Sequence, residues 1–374
     1  MERQTPFCRK HIPPRLHLKS RFFGAGKALW RKLGDLESSV LRAELESTPI
    51  RQPVYVTGVP RSGTTILTEM LAQHPHIATH RYADFPNVWT PFWRNWLADR
   101  AWRKPVQTVE RAHRDRIMVS ENSPEAVEEV VWMAFFDGLH DPGSRQILDE
   151  ATEHPTFESF YRDHIRKLLL VRGRSRYASK GNYNVFRLRY LLKLFPDARF
   201  IIPYRNPVNQ VASLLKQDRL FHRAHSEDQR VAYQLRLSGH FEFGPGRRAV
   251  NVGSDAAARI AAYWGEGRWV AGWALYWNSV YEHVLRQLER HDGLRSASLL
   301  VCYDDLCRAP AEGIQAVFDH ARLHDNDAQA IIGKYSRQIS APDYYHPDFT
   351  DRELDELLEL TRPAASALGF DEVV

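Results

Sequence analysis

Cysteine is almost missing from this chain. Its 374 residues include three, Cys8, Cys302 and Cys307, with no C-x-x-C pair and no histidine at ligand spacing. That excludes a disulfide framework and a cysteine-built zinc site, and it suits a reducing compartment. Long apolar runs are also missing. No uncharged apolar stretch reaches the roughly 18 residues a membrane span needs, and the basic segment Met1 to Arg21 lacks the apolar core of a signal peptide. The expectation is a soluble, cytoplasmic protein without a transmembrane segment. Neither internal repeats nor a block of one charge occurs. The net charge of +5 is spread along the chain, which suits anionic small molecules as well as nucleic acid and decides between neither.

The 43% hydrophobic content is enough for a sizeable core, and the pattern along the chain is one of alternation. "ALWRKLGDLESSVLRAELES" has helical spacing and ends before Pro49 and Pro53. Residues 1–50 are therefore expected to be a basic leader and a helix appended to a single α/β domain over 51–374. "PVYVTG" reads as a strand, "TTILTEMLAQH" as a helix, "FESFYRDHIRKLLLVRG" as an amphipathic helix, "RYASKG" as a strand and "VFRLRYLLKLF" as a helix. "ARFIIPYRNP" reads as a buried strand before the helix "VNQVASLLKQ", and "SASLLVCYDDL" as an apolar strand after a helical stretch from about 256 to 290. Ser123, with Pro124 in the first turn, is expected to cap a helix over "PEAVEEVVWMAFFDG", whose Glu125, Glu128 and Glu129 then complement the helix dipole. Strands alternating with helices imply a parallel sheet flanked by helices on both faces.

The sharpest signal is "YVTGVPRSGTTILTEML". Gly58 and Gly63 have the spacing of a phosphate-binding loop, but Thr64 stands where a nucleoside triphosphatase carries lysine. Between a strand and a helix, such a loop turns backbone N–H groups and a partially positive helix end toward an anion. Arg61 supplies a guanidinium in place of the lysine, and Ser62, Thr64 and Thr65 supply hydroxyls. This composition suits a phosphate- or sulfate-bearing donor that needs no metal-assisted triphosphate chemistry.

"GVPRSGTT" after a strand resembles the 5′-phosphosulfate loop of P-loop-type sulfotransferases that use 3′-phosphoadenosine 5′-phosphosulfate (PAPS), in particular the tyrosylprotein and bacterial or carbohydrate branches. "ARFIIPYRNPVNQVASLLKQ" is similar to the family's 3′-phosphate segment, which makes Arg205 and Ser213 the expected 3′-phosphate ligands. "YASKGNYNVFRLRYLLKLFPDARF" is similar to the segment whose lysine faces the leaving oxygen, which gives Lys180, with Arg61 beside it. "LLVCYDDLCRAP" places Tyr303 near the nucleotide. The resemblance covers most of residues 53–323 and implies Arg61, Ser62, Gly63, Thr64, Thr65, Arg205, Ser213 and Tyr303 as PAPS contacts, with no metal. Where some relatives have a further arginine this chain has Gln217, so Lys216 or Arg219 is expected to substitute.

The tyrosylprotein branch draws its general base from a glutamate after a His-Pro, but here "HPHIATHRYADFP" has Arg81 and Tyr82 at that place. Asp84 is the first choice for the base, and His80, with the better unperturbed pKa, the rival. "YADFPNVWTPFWRNWLADRAW" has rings that could line a sugar or phenol acceptor site or pack as a lid, and its Trp and Arg content keeps peripheral membrane contact open. "GKYSRQISAPDYYHPDF", with Lys334, Ser336 and Arg337, reads as a loop able to cover a cofactor. The expected activity is sulfuryl transfer from PAPS to a hydroxyl of an acceptor, whether a glycan, a lipid-linked sugar, a phenol or a tyrosine. An atypical P-loop kinase and a non-catalytic nucleotide-binding protein of the same fold are the alternatives.

Overall fold

The strand segments are short and apolar on both sides, as buried parallel strands must be. In the computed structural model, which describes residues 12–100, 109–110, 118–341 and 347–370, β1 is Val54–Val56, β2 Ile77–Ala78, β3 Val109–Glu110, β4 Met118–Val119, β5 Arg176–Lys180, β6 Arg199–Tyr204 and β7 Ser298–Cys302. Five of them form one sheet in the order β2-β5-β1-β6-β7, and every pairing in it is parallel. β3 and β4 make a separate antiparallel pair. The parallel register sets Val56 beside Lys180 and Tyr204 beside Cys302. The carboxyl ends of β1, β5, β6 and β7 thus lie along one edge, where ligands bind in open α/β sheets.

The period-2 alternation divides the core between two faces. Tyr55, Tyr177, Phe200 and Ile202 join one cluster, with Phe157, Tyr161 and Ile165 of helix Pro155–Arg172 and Trp273, Trp277 and Tyr281 of helix Trp269–Arg290. Val54, Val56, Ala178 and Ile201 join the other, with Leu67, Met70 and Leu71 of helix Thr64–Gln73 and Ile314, Val317 and Phe318 of helix Pro310–His320. This is the α/β sandwich expected from the alternation of elements.

The amino-terminal residues fold as helices Pro14–Ala25, Lys27–Val40 and Arg42–Glu46. They dock through a buried ion pair between Lys167 and Glu37 at 3.3 Å, with Lys167 Nζ also donating to Gly34 O at 2.6 Å. Cys8 and the start of the basic leader lie outside the described residues. The stretch 256–290 is two helices, Ala256–Gly265 and Trp269–Arg290, separated at Gly267 with φ 78°. Among the described residues no helix is long and apolar enough to cross a membrane.

Candidate active site

The loop after β1 departs from ordinary backbone at its centre. Arg61 has φ 72°, a left-handed conformation that costs a non-glycine residue about 1–3 kcal/mol and persists only when its surroundings enforce it. Gly63, φ 106°, precedes helix Thr64–Gln73. A Cβ there would come within 2.5 Å of the Tyr303 ring, so only glycine lets the ring sit against the loop. Ser62 is fully buried, Thr64 is buried in the first helical position, and Thr65 follows it half-buried. The helix N-terminus directs its unsatisfied N–H groups and partial positive charge into this turn.

Two contacts tie the loop to helix Pro207–Glu227. Arg61 Nε donates to Ser213 Oγ at 3.1 Å. Gln210, one turn earlier on the same helix face, donates through Nε2 to Val59 O at 3.3 Å and Pro60 O at 3.0 Å, and its own oxygen accepts from Trp277 Nε1 at 2.9 Å. Those carbonyls are thus held against a fully buried side chain. Asn206 caps the helix by accepting from the amides of Val208 and Asn209. Arg205, at the end of β6, is buried, with Nε 3.7 Å from Asp304 Oδ1 and its guanidinium 5.8 Å from the Tyr303 ring centre. Asp304 also accepts from Asn206 N at 2.7 Å, fixing the turn from strand to helix. Lys180 ends β5 beside β1, with Nζ 3.7 Å from Glu125 Oε1. The loop, Lys180, Arg205, Ser213 and Tyr303 therefore occupy neighbouring positions along one sheet edge. Gln217 is buried, while Lys216 and Arg219 face outward.

The two residues expected to act as base have other surroundings. Asp84 is 1% exposed. It accepts from Arg94 at 3.1 Å, from Asn95 at 3.2 Å and from Arg172 through both oxygens at 3.0 Å, and it also takes the Arg81 amide at 2.8 Å. Although burial alone would raise its pKa, His80 and the two guanidinium groups hold it far below the ordinary carboxylate range. Both Asp84 oxygens are therefore already engaged by donors, a setting that supports a structural role for the residue expected to take the acceptor's proton. His80 is also buried, with Nε2 3.0 Å from His164 Nε2 and Nδ1 3.4 Å from Asp84 Oδ2. Both of its ring nitrogens thus meet buried side chains. Asp84→Ala should cost about 3–5 kcal/mol of stability, as when a buried ion pair loses one partner, measured by chemical denaturation. Because the folded pKa is depressed, Asp84's contribution is present above the ordinary carboxylate pKa and is lost as pH falls below it.

The capping expectation at Ser123 also fails. The helix runs only over Glu129–Phe135, because Pro124 bridges to Arg81 and the Glu125 amide donates to His80 O at 3.0 Å. Pairing with a neighbouring segment here outweighs the capping signal. The three glutamates consequently diverge. Glu125 faces Lys180, Glu128 accepts from Ser179, and Glu129 holds Arg187 and His140. Glu125 is pushed down to about 2 by Lys180 and His240 despite its burial.

Of the aromatic run, Tyr82, Phe85 and Trp89 are core residues, whereas Trp96 is 42% exposed. Helix Pro91–Arg100 was not foreseen there, and Ala101 and Trp102 lie outside the described residues. Lys334 lies in the last turn of helix Asn326–Tyr335 instead of standing in a loop, and residues 342–346 of the expected flap lie outside the described residues. The sequence reading also missed Gln210, gave Glu125 to the helix dipole where it faces Lys180, and did not single out His240 or Glu242. Gln210 shares a helix face with Ser213 at i, i+3, a signal that was available. The other three meet only through tertiary packing.

Comparison with known proteins agrees with this fold. A search of curated proteins finds no match. Among solved structures, the chain is similar to the sulfotransferase STF1 from Mycobacterium tuberculosis, with a TM-score of 0.50 and 16% identity over 92% of this chain and 85% of that one. It is also similar to the sulfotransferase STF9 from Mycobacterium avium, with a TM-score of 0.52 and 14% identity over 90% and 82% of the two chains. At such identities the likeness establishes the fold. A model of the sulfotransferase family matches residues 53–241, just over half the chain, including the loop, Lys180, Arg205 and Ser213. On that match and this fold, the chain belongs to the sulfotransferase family.

Proposed function

We propose that this protein transfers a sulfuryl group from PAPS to a hydroxyl of a small-molecule or glycan acceptor. The observation that carries the reading is the Arg61–Ser213 hydrogen bond, which unites two anion-binding segments 152 residues apart at the carboxyl edge of the sheet. The donor set suits a molecule anionic at both ends. Loop amides from Arg61, Ser62, Gly63, Thr64 and Thr65, with the Arg61 guanidinium, would hold the phosphosulfate. Arg205 and Ser213 would hold the 3′-phosphate, and the Tyr303 ring, seated against Gly63, would flank the nucleotide.

When bound, PAPS supplies an activated sulfuryl group whose departure leaves charge on the bridging oxygen. Lys180 meets that charge with its ammonium, and Arg61 adds a second cation from the loop. The only work left to the protein is to position the acceptor hydroxyl and accept its proton. We read residues 51–374 as one catalytic domain onto which the amino-terminal helices dock, and we place it in the cytoplasm, which suits the free thiols of Cys302 and Cys307. Incubation with sulfur-labelled PAPS and a panel of sugars, phenols and tyrosine peptides should give labelled product without added magnesium. Phosphoryl transfer from ATP with magnesium in the same panel would instead place the chemistry among kinases.

A further inference from the structure

The segment after helix Arg230–Leu237 carries a histidine–glutamate pair next to Lys180. Gly239, φ 78°, makes the turn out of the helix, and a Cβ there would come within 2.5 Å of Glu129 Cγ. The turn is held on both sides. His240 N donates to Leu235 O at 2.8 Å, Phe241 N to the Tyr183 hydroxyl at 3.2 Å, and Arg248 N to Phe241 O at 2.9 Å. Tyr183 belongs to the 3-10 turn Asn182–Phe186, which begins two residues after Lys180. His240 is thereby fixed beside the end of β5.

Within the pair, His240 Nδ1 lies 3.4 Å from Glu242 Oε2, and Glu242 Oε1 accepts from Asn182 Nδ2 at 3.0 Å. The glutamate side chain is 3% exposed, while the histidine is 26% exposed. Glu242 Oε2, shielded from solvent, faces the imidazole Nδ1. Phe241, between the two, forms part of the wall of a cavity of about 400 Å³ together with Met133, Phe136 and Tyr233. His240, Glu242 and Lys180 are not among the residues that line it.

We propose that His240, oriented by Glu242, is the general base that takes the proton of the acceptor hydroxyl; this rests on the sulfuryl-transfer reading above. As the bond from the acceptor oxygen to sulfur forms, the bond from sulfur to the bridging phosphate oxygen breaks. The hydroxyl proton passes to His240 Nε2, and the departing oxygen, with its electron pair, is met by Lys180. Glu242 is a positioning residue, fixing the tautomer and stabilising the imidazolium. Glu125 is the nearest rival and is unsuited to the task. Its Oε1 already takes the Ala126 amide at 2.7 Å and faces Lys180, so it orients that ammonium.

The charged groups facing His240 are Glu242 and Glu125, which favour the imidazolium, and Lys180, which opposes it; burial opposes it too. The balance raises the His240 pKa. Tyr183 and Tyr276, near Glu242, are kept neutral by burial. Activity should therefore rise with pH through an acid limb above the ordinary histidine value near 6.5. Glu242→Gln should move that limb to lower pH.

The test uses the full chain with labelled PAPS, and water and 2-naphthol as acceptor hydroxyls. It also measures affinity for 3′-phosphoadenosine 5′-phosphate by calorimetry. His240→Gln is expected to lower turnover about 100- to 10,000-fold, the range for losing a general base, with bisphosphate affinity unchanged, and Glu242→Gln to shift the pH limb downward while retaining measurable turnover. The proposal is overturned if His240→Gln turns over at the wild-type rate, if both variants keep the wild-type pH profile, or if the wild type binds the bisphosphate but consumes no PAPS at any pH. Failure of the wild type to bind the bisphosphate overturns the sulfuryl-transfer reading itself, and this inference with it.

Discussion

Lys180→Ala is expected to lower kcat by about a hundred- to a thousand-fold, the effect of deleting one group that stabilises developing charge in a transition state, while affinity for 3′-phosphoadenosine 5′-phosphate changes little. The physical reason is timing. The ammonium has a modest interaction with the ground-state donor and a strong one with the oxygen that becomes charged as sulfur departs, so its removal raises the barrier more than it weakens binding. The structure supplies the means of holding it. Lys180 ends a strand paired with β1, and Glu125 at 3.7 Å restrains the ammonium without neutralising it through a short bond. Lys180→Arg, which keeps the charge but changes its shape, should recover part of the loss. Single-turnover kinetics with labelled PAPS, alongside calorimetry, separates the two effects; a loss of affinity as large as the loss in kcat would make Lys180 a binding group instead.

The second large effect is expected at Arg205. Arg205→Ala should weaken binding of the bisphosphate by about 2–5 kcal/mol, the range for truncating a buried, charge-paired group, which corresponds to roughly 30-fold to several thousand-fold in Kd. The guanidinium is buried between Asp304 and the Tyr303 ring at the end of β6. Affinity for 5′-AMP, which lacks the 3′-phosphate, should scarcely change. Isothermal titration of both nucleotides into wild type and variant measures the difference, and an equal loss for the two nucleotides would remove Arg205 from the 3′-phosphate site.

The parts of this architecture that could be read from the sequence are those built from neighbouring residues. Gly58, Gly63 and the helix from Thr64 form a local unit whose geometry follows from glycine's freedom and the helix end, and the same holds for β6 running into the Asn206-capped helix. That the sheet is parallel and flanked by helices followed from the alternation, whereas its strand order did not. What was not legible depends on long-range packing. Asp84 reads as a reactive loop carboxylate until Arg172, 88 residues away, closes over it. Glu125 reads as part of a helix start until the Pro124 bridge draws its segment toward His80 and Lys180. His240 and Glu242 stand in an unremarkable turn, and nothing in their spacing says that Asn182 and Lys180 lie next to them. Units built from backbone are local, whereas the surroundings of Asp84, Glu125 and His240 are assembled from distant segments.

The central claim is that the site binds a nucleotide with phosphates at both ends. Calorimetric titration of the wild-type protein with 3′-phosphoadenosine 5′-phosphate, and separately with ATP and magnesium, tests it most directly. The account predicts tight binding of the bisphosphate without metal and much weaker binding of ATP. Preference for ATP with magnesium, or no binding of the bisphosphate, would contradict it.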